Sequence, residues 1–180
     1  MNKICSGCFR EKTGDGQCPY CGYGKEADRE KYPQALPCDT ILAGRYILGK
    51  VLGQGGFGIT YLGQDYKTED LAAIKEFFPE PMAARVSKGT VAAYTGERGS
   101  GFQYGKDFLQ EARTLAEFKG NDNIVRIHCF FEENGTAYFV MDYVDGVGLQ
   151  RYVKDRGGRL PWREAVDLML PVLYALAAVQ

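Results

Sequence analysis

The middle of the chain alternates between apolar and polar residues. The segments RYILGKVLG and GITYLGQD alternate on either side of a glycine cluster, and residues 71–78, LAAIKEFF, continue the pattern up to Pro79. A period of two residues predicts β-strands. Farther along, IVRIHCFFEENGTAYFVMDYV predicts two more strands joined at a Glu-Asn-Gly turn, a combination that is typical of a β-hairpin.

A period close to 3.6 residues predicts a helix over residues 107–119, DFLQEARTLAEFK. Asp107 stands where an N-cap residue belongs. The apolar stripe of this helix contains Phe108, Ala112, Leu115 and Ala116. Residues 82–105, before the helix, are rich in glycine and serine, and only a short hairpin near Thr90 to Tyr94 is expected in them.

Two further helices are predicted near the end of the sequence. A short one begins at Leu149, and a longer one begins at Pro161, because proline is tolerated in the first helical turn. The longer segment, PWREAVDLMLPVLYALAAVQ, is still apolar at Gln180 and shows no capping glycine or breaker. We therefore expect this chain to be the N-terminal part of a longer protein. For the exposed apolar face of this helix the alternatives are fraying, folding back on the rest of the chain, or pairing of two copies as a homodimer, and pairing is favoured.

The composition is that of a globular protein without a dominant charge. The 180 residues are 45% hydrophobic and 25% charged, and the net charge is −1. A basic surface for nucleic acid or for an anionic membrane is therefore not expected. The N-terminus has no apolar signal region, and the longest apolar run, residues 168–179, is about half of the roughly 20 residues that a bilayer span needs. These features predict a cytoplasmic protein without a membrane segment in this chain.

Four of the six cysteines form two C-x-x-C pairs near the N-terminus. Cys5 and Cys8 are followed by Cys18 and Cys21, with nine residues between the pairs. Two such turns can supply the tetrahedral shell of four thiolates that suits Zn²⁺. A disulfide or a redox-active C-x-x-C is the alternative, but neither is favoured without a secretion signal or a thioredoxin-like strand and helix. We predict a structural zinc ribbon over residues 1–26, with no ligand position left open for catalysis.

The charge of the ribbon argues against nucleic acid as its partner, because six basic and five acidic residues lie between positions 1 and 31. Residues 27–42 are charged, contain Pro33 and Pro37 and show no period, so they predict a linker. Cys38, Cys129 and His128 have no partners at metal-ligand spacing. They are interpreted as ordinary linker and strand side chains.

The glycine cluster GQGGFG places Gly53, Gly55 and Gly58 in a G-x-G-x-x-G pattern. In dinucleotide-binding proteins a helix follows this pattern, whereas here a β-branched and aromatic strand follows it. A loop between two strands can lay its backbone amides over the phosphates of a nucleotide. A plain turn is the alternative.

A lysine and a glutamate complete the candidate site. Ala73 and Lys75 lie on one face of a predicted strand, so a flat base and an ammonium group fit side by side. Glu111 shares the apolar stripe of the helix over residues 107–119, and a carboxylate on an inward face is costly unless it is paired. Lys75 is its natural partner. The alternatives are an edge lysine that reaches solvent and a solvated boundary glutamate.

Five motifs, in the order of a known family, resemble the N-terminal lobe of a eukaryotic-like (Hanks-type) Ser/Thr protein kinase of the bacterial kind. They are LGQGGFGITYLG, AAIKEFFP, FLQEARTL, NIVRI and AYFVMDYVDG. The resemblance runs from about residue 42 to residue 180. It implies an α+β fold in which the ribbon precedes an antiparallel sheet with one helix over residues 43–146. The first helices of a truncated C-terminal lobe follow over residues 147–180.

The resemblance also implies a role for each motif. The glycine loop covers the ATP phosphates, Lys75 holds the α- and β-phosphates and pairs with Glu111, and Met141 is the gatekeeper. The ATP-binding residues that it implies are Leu52, Gly53, Gln54, Gly55, Gly56, Phe57, Gly58, Thr60, Ala73, Lys75, Met141, Asp142 and Val144. Thr60 stands where the family usually has valine, and the exchange adds a hydroxyl group.

The motifs of catalysis itself do not occur in these 180 residues. There is no HRD-x-x-x-x-N loop, no DFG motif and no activation loop that ends in APE. We therefore expect the chain alone to be inactive, and its parent to phosphorylate protein hydroxyls with ATP and Mg²⁺. The alternative function is a pseudokinase-like scaffold whose ribbon recruits a partner protein, and a nucleic-acid-binding ribbon protein is a third. The sequence does not predict which protein is the substrate.

Overall fold

The structure is a computed structural model that describes residues 2–14, 16–86, 89–93, 104–118 and 120–179. Its strands and helices are, in chain order, β1 (Asn2–Ile4), β2 (Glu11–Thr13), α1 (Lys25–Lys31), β3 (Ile41–Leu42), β4 (Tyr46–Gly55), β5 (Gly58–Asp65), β6 (Leu71–Phe77), β7 (Ala83–Arg85), β8 (Val91–Ala93), α2 (Tyr104–Glu117), β9 (Ile127–Glu133), β10 (Thr136–Asp142), α3 (Leu149–Asp155) and α4 (Trp162–Val179).

The central sheet of the described chain has six strands in the order β3-β4-β5-β6-β10-β9, and every neighbouring pair is antiparallel. This arrangement confirms the predicted antiparallel sheet. Strands β9 and β10 are joined by Asn134 and Gly135, whose φ angles are 53° and 69°. Both values lie in the left-handed region, which asparagine and glycine adopt at the least cost, so the Asn-Gly pair fixes this turn.

Helix α2 packs across one face of the sheet. The ring centroid of Phe108 lies 4.9 Å from that of Phe139 and 5.2 Å from that of Phe77. Ala112, one turn farther along, is fully buried, so the apolar stripe seen in the sequence is the packed face of the helix. The sheet and α2 together enclose the first of two apolar clusters.

The first residue of α2 differs from the prediction. The helix begins at Tyr104 and not after Asp107, so the N-cap assigned to Asp107 was wrong. An aspartate near the start of a helix also interacts favourably with the helix dipole, so its presence does not by itself mark the cap. The side chains of residues 104–107 and of Lys119 lie outside the described residues.

The second apolar cluster lies on the opposite face of the sheet. Side chains from β4, β5, β6 and β10 pack there against Leu36, Ala83 and Val91, which come from outside the sheet. Ala83 and Val91 belong to the hairpin of β7 and β8, which pairs over three residues on each strand. The sequence predicts a short hairpin near residues 90–94. The structure has its second strand over Val91–Ala93, and Tyr94 lies outside the described residues.

Residues 27–42, which the sequence predicts to be a linker, contain a helical segment and a buried apolar residue. They contain most of α1, and Leu36 is buried in the second cluster. The backbone N–H of Leu36 donates a hydrogen bond of 3.0 Å to the buried hydroxyl of Tyr61. The two apolar residues between the prolines, Ala35 and Leu36, are too few to create a period, which is why periodicity did not reveal the contact.

The N-terminal cysteine module lies directly on β4. The backbone N–H of Lys50 donates a hydrogen bond of 2.8 Å to the carbonyl of Ser6, between two of the cysteines. A Cβ atom on Gly49 would lie 2.3 Å from the same carbonyl oxygen and 2.9 Å from the ring of Phe9. Glycine at position 49 therefore allows the close approach of the two backbones.

Helices α3 and α4 follow the last strand and agree with the predicted positions. The backbone N–H of Ala165 donates a hydrogen bond of 3.0 Å to the carbonyl of Pro161, which places the proline at the start of α4. Ala175 is the buried residue of this helix. No helix in the described part of the chain has both the length and the apolar character that a membrane span requires.

Substituting Gly49→Ala is expected to lower the free energy of unfolding by about 1–3 kcal/mol, because backbone and ring atoms must move to admit the new methyl group. Thermal unfolding of the purified chain measures the effect. Gly16→Ala is the matched control, since a Cβ atom there meets nothing within 4 Å. Equal melting temperatures for the two variants would contradict the docking of the module on β4.

Candidate nucleotide and metal sites

The four predicted cysteine ligands come together at one point. The Sγ atoms of Cys5, Cys8, Cys18 and Cys21 all lie within 4.8 Å of one another. The Sγ atoms of Cys5 and Cys21 are 3.8 Å apart, and so are those of Cys8 and Cys18. A tetrahedron with Zn–S bonds of about 2.3 Å has edges of about 3.8 Å, so the four sulfurs have the spacing of a tetrahedral metal shell.

The surroundings of the cysteines shift the pKa values of their thiols in opposite directions. The N–H of Gly7 donates a hydrogen bond of 3.3 Å to the Sγ of Cys5. Burial raises the pKa of Cys18, but the backbone amides of Cys21 and Tyr20 donate to its sulfur and bring the pKa down to about 6. Burial raises the pKa of Cys21 to about 12. A divalent cation bound to all four sulfurs would stabilise every one of them as a thiolate.

The glycine cluster forms the tip of a two-stranded hairpin, as predicted from the strand that follows it. Gly55 pairs with Gly58 across β4 and β5, with Gly56 and Phe57 at the turn. Phe57 is 64% exposed. A Cβ atom on Gly53, Gly55 or Gly56 would meet nothing within 4 Å, so one side of the loop is open.

Lys75 lies in the same cross-strand row as this hairpin. Gly53 of β4 pairs with Thr60 of β5, Thr60 pairs with Lys75 of β6, and Lys75 pairs with Phe139 of β10. Residues that are directly opposite in antiparallel strands point to the same face. The Nζ of Lys75 lies 5.3 Å from the ring centroid of Phe139 and 5.6 Å from that of Phe108, so the ammonium group is held between the sheet and α2.

The predicted partner of Lys75 is described only by its backbone. Glu111 lies in α2, three residues after Phe108, and residues with this spacing share one side of a helix. The side chain of Glu111 lies outside the described residues. Its pairing with Lys75 therefore stays a prediction.

A second cross-strand row contains the residues assigned to the base. Leu62 of β5 pairs with Ala73 of β6, and Ala73 pairs with Met141 of β10. Ala73 is buried, Met141 is half-buried, and Val144 just after β10 is 73% exposed. Leu52, at 37% exposed, lies in β4 immediately before Gly53. The structure thus brings Thr60, Ala73 and Met141 to the face of the sheet that also carries Lys75.

Sequence reasoning missed a contact at the end of β10. The Nε2 of His128 lies 2.6 Å from Oδ1 of Asp142, and Nη2 of Arg126 donates to the same oxygen at 3.3 Å. Burial raises the pKa of Asp142, but the hydrogen bonds from His128 and Arg126 hold it below its usual range. The His128 side chain, interpreted as an ordinary strand residue, therefore contacts the segment assigned to adenine binding. Only the register of β9 and β10 reveals this contact.

Purified protein is expected to contain one Zn²⁺ per chain, because the four sulfurs already have the spacing of a tetrahedral shell. Elemental analysis of protein prepared without chelator measures the stoichiometry. Cys18→Ser should lower the zinc content well below one equivalent, whereas Cys38→Ser, outside the cluster, should leave it unchanged. Less than half an equivalent in the unmodified chain, with four reactive thiols, would contradict the assignment.

Comparison with known proteins extends these findings. The pattern of the protein kinase domain family matches residues 46–179. The serine/threonine-protein kinase PknG of Mycolicibacterium smegmatis is 31% identical over 167 residues, which are 90% of this chain and 18% of PknG. PknG of Mycobacterium leprae is 31% identical over 170 residues, or 91% of this chain and 19% of that protein. The chain spans about a fifth of the length of these relatives.

Solved structures show the same fold. The apo form of PpkA-294 is 35% identical with a TM-score of 0.62, and the match covers 67% of this chain and 43% of that chain. The kinase domain of PknI from Mycobacterium tuberculosis is 24% identical with a TM-score of 0.58, covering 81% of this chain and 51% of that chain. This second likeness concerns the fold alone.

Proposed function

Because the chain belongs to the protein kinase domain family, we propose that it is the ATP-binding lobe of a protein that transfers the γ-phosphoryl group of Mg·ATP to serine or threonine hydroxyls. The observation that carries the proposal is the shared cross-strand row of Gly53, Thr60 and Lys75 on the face of the sheet that packs against α2. A glycine hairpin and an ammonium group on one face can bind a polyphosphate together.

The phosphates are proposed to lie between the hairpin tip and Lys75. The open side of Gly53, Gly55 and Gly56 admits a ligand close to the backbone. The loop residues proposed to cover the phosphates are Gly53, Gln54, Gly55, Gly56, Phe57 and Gly58. Lys75 donates to the α- and β-phosphates, and Glu111 orients it from α2. Since phosphoryl transfer depends on positioning and charge, a small displacement of Lys75 lowers its rate.

Adenine is proposed to lie beside Leu52, Thr60, Ala73 and Met141. The backbones of Asp142 and Val144 are proposed to supply its hydrogen bonds, and since the N–H of Asp142 already donates to the carbonyl of Arg126 at 3.0 Å, Asp142 would contribute through its carbonyl. The hydroxyl of Thr60 adds a polar group to a pocket that is otherwise apolar. Because Thr60 pairs with Lys75 in the sheet, its hydroxyl is proposed to lie between the adenine and the phosphates.

Residues 1–180 alone are proposed to bind nucleotide weakly and to lack activity. They contain neither the HRD nor the DFG motif, which in this family supply the general base and the ligands of Mg²⁺. Zinc is proposed as a structural ion of the N-terminal module over residues 1–26. A module of this size has almost no core of its own, so the metal would supply most of its folding energy.

Lys75→Met in the full-length protein is expected to lower phosphoryl transfer about a hundredfold or more, because it removes the phosphate contact and keeps the apolar stem. Initial rates on a general kinase substrate measure the effect, and circular dichroism confirms the fold. Lys67→Met, in the exposed turn after β5, is the control and should retain full activity. A fully active Lys75→Met variant would contradict the proposal, and an unmodified protein that binds ATP without turnover would favour the pseudokinase alternative.

The isolated chain is proposed to form a homodimer through α4. Val166, Leu173 and Leu176 are 45%, 55% and 56% exposed, respectively. Burying a side chain of this size contributes roughly 1.5–3 kcal/mol, so a two-fold contact that covers both copies is favourable. Sedimentation of residues 1–180 over a range of concentrations should show a dimer, whereas a version that ends at Gly157 should stay monomeric. Monomers of both versions at every concentration would contradict this proposal.

A further inference from the structure

The residue after Lys75 is a carboxylate buried on the opposite face of the sheet. Glu76 is 0% exposed. Its Oε2 accepts a hydrogen bond of 2.7 Å from the hydroxyl of Tyr61, and its Oε1 accepts one of 2.7 Å from the hydroxyl of Tyr138. Tyr61 belongs to β5 and Tyr138 to β10, so one carboxylate joins the two strands on either side of β6.

Arg85 neutralises this carboxylate through both terminal nitrogens of its guanidinium group. Nη1 donates to Oε1 of Glu76 at 3.1 Å and Nη2 donates to Oε2 at 2.7 Å. The Arg85 side chain is 10% exposed. Bidentate pairs of this kind fix the relative position of their partners as well as the charge.

The remaining donors of Arg85 reach two segments outside the sheet. Nε donates to the carbonyl of Gln34 at 2.5 Å, and Nη1 also donates to the carbonyl of Gly89 at 2.7 Å. The first carbonyl lies after α1 and the second lies between β7 and β8. A single guanidinium group therefore connects β6, the preceding segment and the small hairpin.

The strand register places this network at the level of the proposed phosphate site but on the opposite face of the sheet. Lys75 pairs with Thr60 and Phe139. The two tyrosines that bind Glu76 are adjacent to these residues in sequence, since Tyr61 follows Thr60 and Tyr138 precedes Phe139. Any shift of Glu76 along or across the sheet must move Lys75 as well, because the two residues share one peptide bond.

Glu76 also touches the end of the glycine loop. A Cβ atom on Gly58 would lie 2.3 Å from the carbonyl oxygen of Glu76, so the backbones of the two residues are in close contact. The N–H of Phe78 donates a hydrogen bond of 3.0 Å to the carbonyl of Phe57 at the tip of the loop. The strand segment that carries Glu76 thus supports both Lys75 and the loop.

A buried ion pair is a poor means of stabilising a fold, because desolvation of both charges offsets their attraction, and apolar residues of similar size often serve as well. We propose that Glu76 and Arg85 are positioning residues for Lys75. Their contacts on the opposite face of the sheet fix the position and direction of β6, so that the ammonium group of Lys75 lies against the phosphates of the nucleotide. This inference rests on the proposed function, and it predicts a much larger effect on phosphate recognition than on adenine recognition.

The test compares the affinities of ATP and adenosine for the full-length protein by isothermal titration calorimetry. Adenosine retains the base contacts and lacks the phosphates, so the ratio of the two affinities reports how well Lys75 is placed. Arg85→Met is expected to lower this ratio roughly tenfold, as for the loss of one charge-assisted hydrogen bond, with little change for adenosine. Lys75→Met gives the ratio for complete loss of the contact.

Two further variants keep the test decisive if Arg85→Met folds poorly. Arg85→Lys retains the charge without the bidentate geometry and should lower the ratio in the same direction. Glu76→Gln combined with Arg85→Met removes both buried charges and should recover thermal stability without recovering the ratio. Leu42→Ala, a buried residue at the far edge of the sheet, is the control for general destabilisation and should leave the ratio unchanged.

The outcomes separate the inference from the proposed function. A ratio within twofold of the unmodified protein in Arg85→Met or Arg85→Lys would overturn the positioning role, as would a ratio that recovers together with stability in the double variant. If the unmodified protein binds ATP no better than adenosine, the proposed nucleotide site itself fails.

Discussion

Strand β6 has to place two charged side chains, one residue apart, in opposite environments. The alternation of a strand sends Lys75 toward α2 and Glu76 toward the other face. The ammonium group is proposed to bind the phosphates of a nucleotide, whereas the carboxylate has no access to water. Burying such a carboxylate is costly unless its charge and its lone pairs are satisfied, and Arg85 together with two tyrosines supplies these partners.

This constraint explains why both faces of the sheet are covered. A solvated outer face would leave Glu76 in water and would not need Arg85, the β7–β8 hairpin or the segment around Leu36. Instead, Leu36, Ala83 and Val91 complete an apolar cluster around the ion pair. The N-terminal module adds a contact at the strand of the glycine loop, where Ser6 accepts the hydrogen bond from Lys50. Since Ser6 lies between Cys5 and Cys8, the turn that gathers the metal ligands is also the turn that touches β4.

The parts of the fold that could be predicted from the sequence are those that depend on short-range patterns. Alternation predicts the strands of the sheet, Asn134 and Gly135 predict the turn between β9 and β10, and the spacing of the cysteines predicts their cluster. The family resemblance implies the residues of the proposed nucleotide site, and the structure gathers Gly53, Thr60 and Lys75 in one row. The first residue of α2 was misplaced, because one aspartate is compatible with more than one position in a first turn.

The long-range polar contacts could not be predicted in this way. Glu76 and Tyr138 are 62 positions apart, and nothing in either neighbourhood marks them as partners. The pairing of Glu76 with Arg85 requires the turn between β6 and β7, and the contact of His128 with Asp142 requires the register of β9 and β10. Leu36 covers part of the outer face from a segment whose few apolar residues show no period, so this contact could not be predicted either.

A lysine-directed acyl phosphate of ATP measures whether the sheet presents Lys75 to the phosphates of a nucleotide. This probe transfers its acyl group to an amine that lies against the phosphates, and mass spectrometry identifies the labelled residue. In the full-length protein, Lys75 should be labelled far faster than Lys50 or Lys67, and excess ATP should protect Lys75 while adenosine protects it less. Labelling spread evenly over the three lysines, or labelling of Lys75 that ATP does not suppress, would show that Lys75 does not face the phosphates.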